Sequence, residues 1–216
     1  MFGVLCFTSM NNLINKLIKD GYLKSDLIIE AFSEISRSEF IPDNLEKDAN
    51  ADIALPIGYG QTISQPKTVA FMLELLSPER GQNVLDVGSG SGWTSALFCY
   101  IVGRHGRVTS LEIIEKLMEW GKSNVGKYGN YLRDGQEGIA EFYSTDGRRG
   151  FKKYAPYDRI LVSASCESVP EDLKNQLKIG GKMVIPVGDS LWFLERKSEK
   201  EFYKEEYPGF AFVPLT

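Results

Sequence analysis

Residues 83–92 read N-V-L-D-V-G-S-G-S-G and hold the side chains and spacings best suited to chemistry. One acid, Asp86, sits in a short apolar run (Val84, Leu85, Val87). Glycines follow at alternate positions, Gly88, Gly90 and Gly92. After them W-T-S-A-L-F-C-Y-I-V places Trp93, Ala96, Leu97, Tyr100 and Ile101 at helical spacing. Strand, glycine turn, helix is the opening of a nucleotide-binding βαβ unit. Glycine is needed there because the turn is tight and the backbone must approach a ligand that a Cβ would strike. Spacing narrows the ligand. The dinucleotide fingerprint G-x-G-x-x-G requires glycine at position 93, where Trp93 stands, so NAD is rejected.

Two further acids occupy positions where ligands of open α/β sheets collect. Glu112 ends the run R-V-T-S-L-E and is placed to accept hydrogen bonds from ribose hydroxyls; an acid favoured by a helix N-terminus would stand there too. Asp146 in T-D-G-R follows the next strand and is placed to accept from an adenine amino group, or to serve only as a turn residue. The stretch A-L-P-I-G-Y-G-Q-T-I-S-Q-P (54–66) fits neither the helix nor the strand period. A patterned loop just ahead of a cofactor turn is where substrate contacts tend to sit. The only histidine, His105, lies in a turn at 103–106 with no acid placed to orient it, so neither a hydrolase triad nor a zinc site is expected.

Positioning these groups requires an alternating α/β chain. Residues 11–20 put Leu13, Ile14, Leu17 and Ile18 on one helical face, ended by Gly21. Ser25 or Asp26 caps a second helix to about Ile35, with Ile28, Ala31, Phe32 and Ile35 inward, and 44–50 is a solvated connector. Pro66 opens a helix with Val69, Ala70, Leu73 and Leu76 inward. Strands follow at 83–87, 107–111, 141–144, 158–164 and 182–187, the last entered through the turn Gly180-Gly181. Helices are expected at 113–128 and 170–177, and 129–139 is a polar loop. Segments 190–196 and 209–214 read as a closing antiparallel pair, giving a mostly parallel sheet with an antiparallel edge and helices on both faces.

The spacing D-x-G-x-G-x-G resembles the first motif of the S-adenosylmethionine (AdoMet) dependent methyltransferases, whose Rossmann-like sheet matches this element order. AdoMet has no pyrophosphate to rest on a helix N-terminus. It carries a sulfonium, an amino group and a carboxylate, so an acid near the turn is welcome. Together with Q-T-I-S-Q-P (61–66), the chain resembles the protein-L-isoaspartate O-methyltransferases. The likeness continues through T-D-G-R (145–148), A-P-Y-D-R-I-L-V (155–162), Q-L-K-I-G-G-K-M-V-I-P-V-G (176–188) and F-V-P-L-T (212–216).

That resemblance implies methyl transfer from AdoMet to the α-carboxylate of L-isoaspartyl residues in damaged proteins or peptides, with S-adenosylhomocysteine as product. It implies Ser64 as the active-site residue; the alternative, or additional, role for its hydroxyl is to cap the helix opened by Pro66. It implies Asp86, Gly88, Ser89, Gly90, Gly92, Glu112, Asp146, Gly147 and Thr216 at the cofactor, and Ile57, Gly58, Gln61, Thr62 and Ile63 around the substrate. Asn50 and Lys67 stand where the family often has rings, or at 67 a ring or a histidine.

Composition fits a single globular domain over 1–216: a helical region (1–50), a substrate loop (54–66) and a cofactor-binding core (83–216). Of 216 residues 43% are hydrophobic, and 25 Lys+Arg against 29 Asp+Glu leave a net charge of −4. Without a basic run, a nucleic-acid partner is not expected. No stretch reaches the ~20 apolar residues of a membrane span. The apolar start M-F-G-V-L-C-F lacks the flanks of a signal peptide, and Met10 is an alternative first residue. Scattered Cys6, Cys99 and Cys166 suit a reducing compartment, so a cytoplasmic monomer is expected. Two alternatives stay open: an AdoMet methyltransferase for a small molecule or RNA, and a silent AdoMet-binding module. A DNA-amino methyltransferase is disfavoured because 162–165 reads V-S-A-S, not an N-P-P-Y-like clamp.

Overall fold

The computed structural model of the chain describes residues 12–132 and 138–215. In order they form α1 (12–19), α2 (Asp26–Glu34), β1 (Leu55–Gly58), β2 (Gln61–Ile63), α3 (Pro66–Leu76), β3 (Asn83–Val87), α4 (Trp93–Val102), β4 (Arg107–Glu112), α5 (Glu115–Gly126), β5 (Ala140–Ser144), β6 (Tyr157–Val162), α6 (Glu171–Gln176), β7 (Leu177–Val187), β8 (Ser190–Arg196) and β9 (Phe202–Pro208). The large sheet runs β5-β4-β3-β6-β7-β8-β9. Its strands from β5 to β7 are parallel, and β8 and β9 add an antiparallel edge.

From β3 the chain builds outward to β4 and β5, then crosses back to β6 on the other side of β3. That reversal opens a crevice beyond the carboxyl ends of the central strands, the usual ligand position in such sheets. Side chains alternate along β3, so Val84 joins the core under the first five helices while Leu85 and Val87 join the core on the opposite face. The two faces are covered unequally. Helices α1 to α5 contribute to the first core, whereas the second is closed by α6 and by residues of short 3₁₀ turns such as Phe151 and Tyr154. Among the described residues no helix is long and apolar enough to cross a membrane.

Several expectations are corrected. Within segment 54–66, residues 55–63 form a two-stranded antiparallel hairpin, turned at Tyr59 and Gly60, both at positive φ. A two-residue turn of that hand matches strand twist, but Tyr-Gly is not its usual signature. The edge partner of β8 is the polar strand β9, not 209–214. Segment 209–214 instead returns across the sheet's end, with Ser165 N–H donating to Val213 O and Leu215 N–H to Ser165 O. Strand β7 starts earlier than expected, at Leu177, and the Gly180-Gly181 turn persists within it as a bulge, with Gly180 at φ +78° and the register against β6 jumping from Leu177 to Lys182. Segment 44–50 largely forms a 3₁₀ turn (Asp43–Asp48) rather than an unstructured link. Ser25 precedes α2 without capping it; its hydroxyl donates to Glu74 Oε2. Ile18 is 40% exposed, and α4 is buried on nearly every side because it lies between α2, α5 and the sheet. Part of the loop 129–139, and Cys6, Met10 and Thr216, lie outside the described residues.

Candidate active site

A cleft with about 840 Å³ of space free of protein atoms opens at the carboxyl end of the sheet. Its floor is the glycine turn, Gly88 to Ser91, with Trp93 and Thr94 of α4. Glu112 to Ile114 after β4, Thr145 and Gly147 after β5, and Ser163 and Ala164 after β6 form one wall. The hairpin supplies Ile57, Gln61, Thr62, Ile63 and Ser64, and the C-terminal segment supplies Val213 to Leu215.

The glycine turn is fixed from below. Gly88 and Ser89 N–H both donate to Leu111 O, at 2.8 and 3.0 Å. Gly88 and Gly90 have positive φ, and a Cβ at Gly90 would stand 3.1 Å from Ile57 Cδ1, so the hairpin leans directly on the turn. Gly147 is needed for packing: a Cβ there would meet Val87 Cγ1 at 2.3 Å. Gly92 differs from the other glycines of the motif. It does not line the cleft, and its Cβ would stand 2.7 Å from Gly121 O on α5. Its service is helix packing.

The three acids part company. Glu112 is buried at the cleft wall, where Oε2 accepts from Gly90 N–H (2.9 Å) and Oε1 from Ile114 N–H (3.0 Å). A carboxylate has about four acceptor sites, so both oxygens retain capacity for a ligand's hydroxyls. Asp86 is fully buried and absent from the cleft. Strand parity turns it under α4, where Oδ2 accepts from Thr94 Oγ1 (2.7 Å) and Ser95 Oγ (2.6 Å). Burial pushes its pKa up to about 6, against the Ser95 and Thr94 hydrogen bonds and with a small upward push from Glu112. Asp86 therefore organises the helix start instead of meeting a ligand. Asp146 is also absent from the cleft lining; its carboxylate caps a 3₁₀ turn and is gripped by Arg148 through N–H, Nε and Nη2. The Arg148 hydrogen bonds hold Asp146 below the usual carboxylate range. Its neighbours Thr145 and Gly147 reach the cleft.

Of the expected hairpin residues, Ile57, Gln61, Thr62 and Ile63 line the cleft and Gly58 does not, serving the turn with φ +93°. Ser64 lines it as well. Helix α3 is preceded by Gln65 without a side-chain cap, so the Ser64 hydroxyl does not cap it. Among the described residues that hydroxyl has no protein hydrogen-bond partner, while the Ser64 carbonyl is held by Arg37 Nη2 at 3.1 Å.

Arg37 is the residue that sequence reasoning missed. It is 3% exposed, donates to the carbonyls of Ala49, Ile53 and Ser64, reaches toward that of Ala51 at 3.4 Å, and lies 5.5 Å from the centroid of the Trp93 ring. Burial lowers its pKa to about 10, with Asp52 opposing. Nothing in R-S-E-F announces an interior arginine. Ser163 and Ala164 could have been found from their place at the end of a parallel strand.

The cleft fits AdoMet. Ser89 Oγ and Trp93 Nε1 are buried on its lining without a hydrogen-bond partner among the described residues, and the glycine turn leaves a cradle beside the Glu112 carboxylate. Residues 8–216 match the model of the family described as protein-L-isoaspartate(D-aspartate) O-methyltransferase. The chain is 44% identical over 207 residues to a protein-L-isoaspartate O-methyltransferase of Methanopyrus kandleri, covering 94% of this chain and 89% of that one. It is 41% identical over 206 residues to one of Christiangramia forsetii, covering 93% and 91%. A solved protein-L-isoaspartate O-methyltransferase superposes with TM-score 0.82 at 29% identity, over 96% of this chain and 66% of that one. A Plasmodium falciparum structure described as a β-aspartate methyltransferase with bound S-adenosyl-L-homocysteine shares the fold, with TM-score 0.82 at 22% identity over 95% and 97% of the two chains.

Proposed function

The chain belongs to the protein-L-isoaspartate(D-aspartate) O-methyltransferase family, and from that premise we propose how its cleft carries a methyl group from AdoMet to the α-carboxylate of an L-isoaspartyl residue. S-adenosylhomocysteine is the other product, and the reaction serves repair of damaged proteins. The bound cofactor supplies an electrophilic methyl group on a sulfonium.

The chain's own work is binding and orientation. An isoaspartyl α-carboxylate is ionised at neutral pH, so no general base is required. Positioning is then the main task, worth up to about 7–11 kcal/mol in favourable systems. Gly88, Ser89 and Gly90 cradle the cofactor, Glu112 accepts from its ribose hydroxyls, and Thr145 with Gly147 borders the adenine in place of the Asp146 carboxylate. Ser64 Oγ donates to one oxygen of the substrate carboxylate and aims the other at the methyl carbon. Ile57, Gln61, Thr62 and Ile63 shape the groove for the peptide backbone.

The observation that carries this reading is the division within Ser64: its main chain is clamped by Arg37, and its hydroxyl has no partner among the described residues at a cleft shared with the glycine turn. The substrate is a protein or peptide and not a nucleic acid, in keeping with a net charge of −4 and no basic run. The enzyme works as a monomer in the cytoplasm. The test is transfer from labelled AdoMet to an isoaspartyl peptide and to its aspartyl twin. Label on the first alone is expected. Label on both or on neither, with AdoMet bound, overturns the substrate assignment and leaves the cofactor site standing.

A further inference from the structure

Arg37 belongs to neither the glycine motif nor the hairpin, yet it touches the structures that bear on both. Its Nη1 donates to Ala49 O at 3.1 Å and its Nη2 to Ile53 O at 2.8 Å and Ser64 O at 3.1 Å. The planar fork thus ties the chain before the hairpin to the chain after it, closing the base of the Ser64-bearing loop. The other side of the guanidinium group faces the ring of Trp93, the first residue of the helix that follows the glycine turn.

A buried cation satisfied mainly by carbonyl dipoles is a costly arrangement, and a well-packed apolar side chain would fill the space more cheaply. Its particular property is geometric. Only a guanidinium presents several rigid, coplanar donors, so it can fix carbonyls from separated segments in one plane. The carbonyl it fixes last is that of Ser64, whose hydroxyl has no partner among the described residues.

We propose that Arg37 is a positioning residue for methyl transfer, which acts through Ser64 by registering that residue's main chain against the cofactor helix at Trp93. Arg37 touches neither substrate nor cofactor. This rests on the reading of Ser64 given above.

The experiment is a double-mutant cycle with Arg37→Lys and Ser64→Ala, read by kcat and peptide KM, AdoMet affinity by calorimetry, and melting temperature. A lysine keeps the charge but offers donors from a single point. Arg37→Lys is expected to lower kcat about tenfold to a hundredfold, the scale of an ångström-sized misplacement. AdoMet affinity and peptide KM stay within about threefold, less than the loss of one ordinary hydrogen bond would bring. In the Ser64→Ala background the same change has little further effect, because there is no hydroxyl left to aim.

Full activity of Arg37→Lys beside an impaired Ser64→Ala overturns the role of Arg37 alone. A full-sized effect of Arg37→Lys in the Ser64→Ala background, or a proportionate loss of AdoMet affinity, also overturns it. An unimpaired Ser64→Ala removes the Ser64 reading and the Arg37 inference together. If Arg37→Lys does not melt cooperatively, Arg37→Gln removes the buried charge while keeping two donors, and the same criteria apply.

Discussion

Gly92 and Gly121 meet backbone to backbone, so closely that a Cβ on Gly92 would stand 2.7 Å from the Gly121 carbonyl oxygen. The contact is reciprocal: a Cβ on Gly121 would stand 2.7 Å from Gly90 O. Helix α5 thus supports the glycine turn from behind. Gly121→Ala is diagnostic because alanine in a helix interior normally stabilises by about 1 kcal/mol relative to glycine. Here the methyl group presses on the turn, and overpacking of this kind costs about 1–3 kcal/mol. A net loss of stability in a denaturant titration, with weaker AdoMet binding from a residue that never reaches the cleft, is the expected outcome. A gain in stability would show that the two backbones part without cost.

Glu112 joins the glycine turn to the wall by accepting from two main-chain amides. Glu112→Gln must turn an amide NH₂ toward one of those N–H groups, so one donor loses its acceptor. A lost hydrogen bond to a charged group costs about 1.5–3 kcal/mol. AdoMet affinity measured by calorimetry should fall about tenfold to a hundredfold, in line with that energy at 1.4 kcal/mol per decade. Unchanged affinity would remove Glu112 from the cofactor site.

Asp86 gives a pH signature. Its folded pKa of about 6 lies above the ordinary 3.8, so between those values the folded chain holds a proton that the unfolded chain releases. Stability therefore falls as pH rises through that window and levels off above it, by roughly 3 kcal/mol at 1.36 kcal/mol per unit. Asp86→Asn cannot ionise. Urea titrations from pH 4 to pH 7 should show the wild type losing stability relative to the variant as pH rises. Parallel profiles would mean that Asp86 does not carry the raised pKa.

Ser64→Ala should leave AdoMet affinity nearly unchanged and lower kcat by up to about a hundredfold, since only alignment of the carboxylate is lost. Loss of affinity and turnover together would mean that the serine supports the cleft and does not aim the substrate.

How much of this was readable in the chain depends on the range of the interaction. The glycine turn, the strand ending in Glu112 and the helix opened by Pro66 are local patterns, and each lies where its residues place it. The hairpin was missed because its turn holds Tyr59 at positive φ, where no usual turn pair marks it. Strand β9 was missed because F-Y-K-E-E-Y-P is polar, as suits an exposed edge. The outward-looking assignment of Asp86 failed on parity: it shares a face with Val84, beneath α4, which alternation along the strand could have revealed. Arg37 had no such signal, because its role comes from carbonyls 12 to 27 residues away.

Asp146 offers the sharpest separation between motif and geometry. T-D-G-R marks it as an adenine acceptor, yet its carboxylate is engaged by Arg148 Nη2 at 2.9 Å and by the Arg148 amide at 3.0 Å. The ion pair is exposed on the arginine side, so it adds little to stability. Asp146→Asn keeps an acceptor for the Arg148 amide and loses the charge pairing. If the carboxylate serves the turn, AdoMet affinity changes by less than about threefold, under the energy of one ordinary hydrogen bond. A fall of about tenfold or more, with the melting temperature unmoved, would mean that Asp146 exchanges Arg148 for the adenine when the cofactor binds. Arg148→Ala separates the two cases further. Freeing the carboxylate should then strengthen AdoMet binding if Asp146 reaches the adenine, and leave it alone if Thr145 and Gly147 border the ring without it.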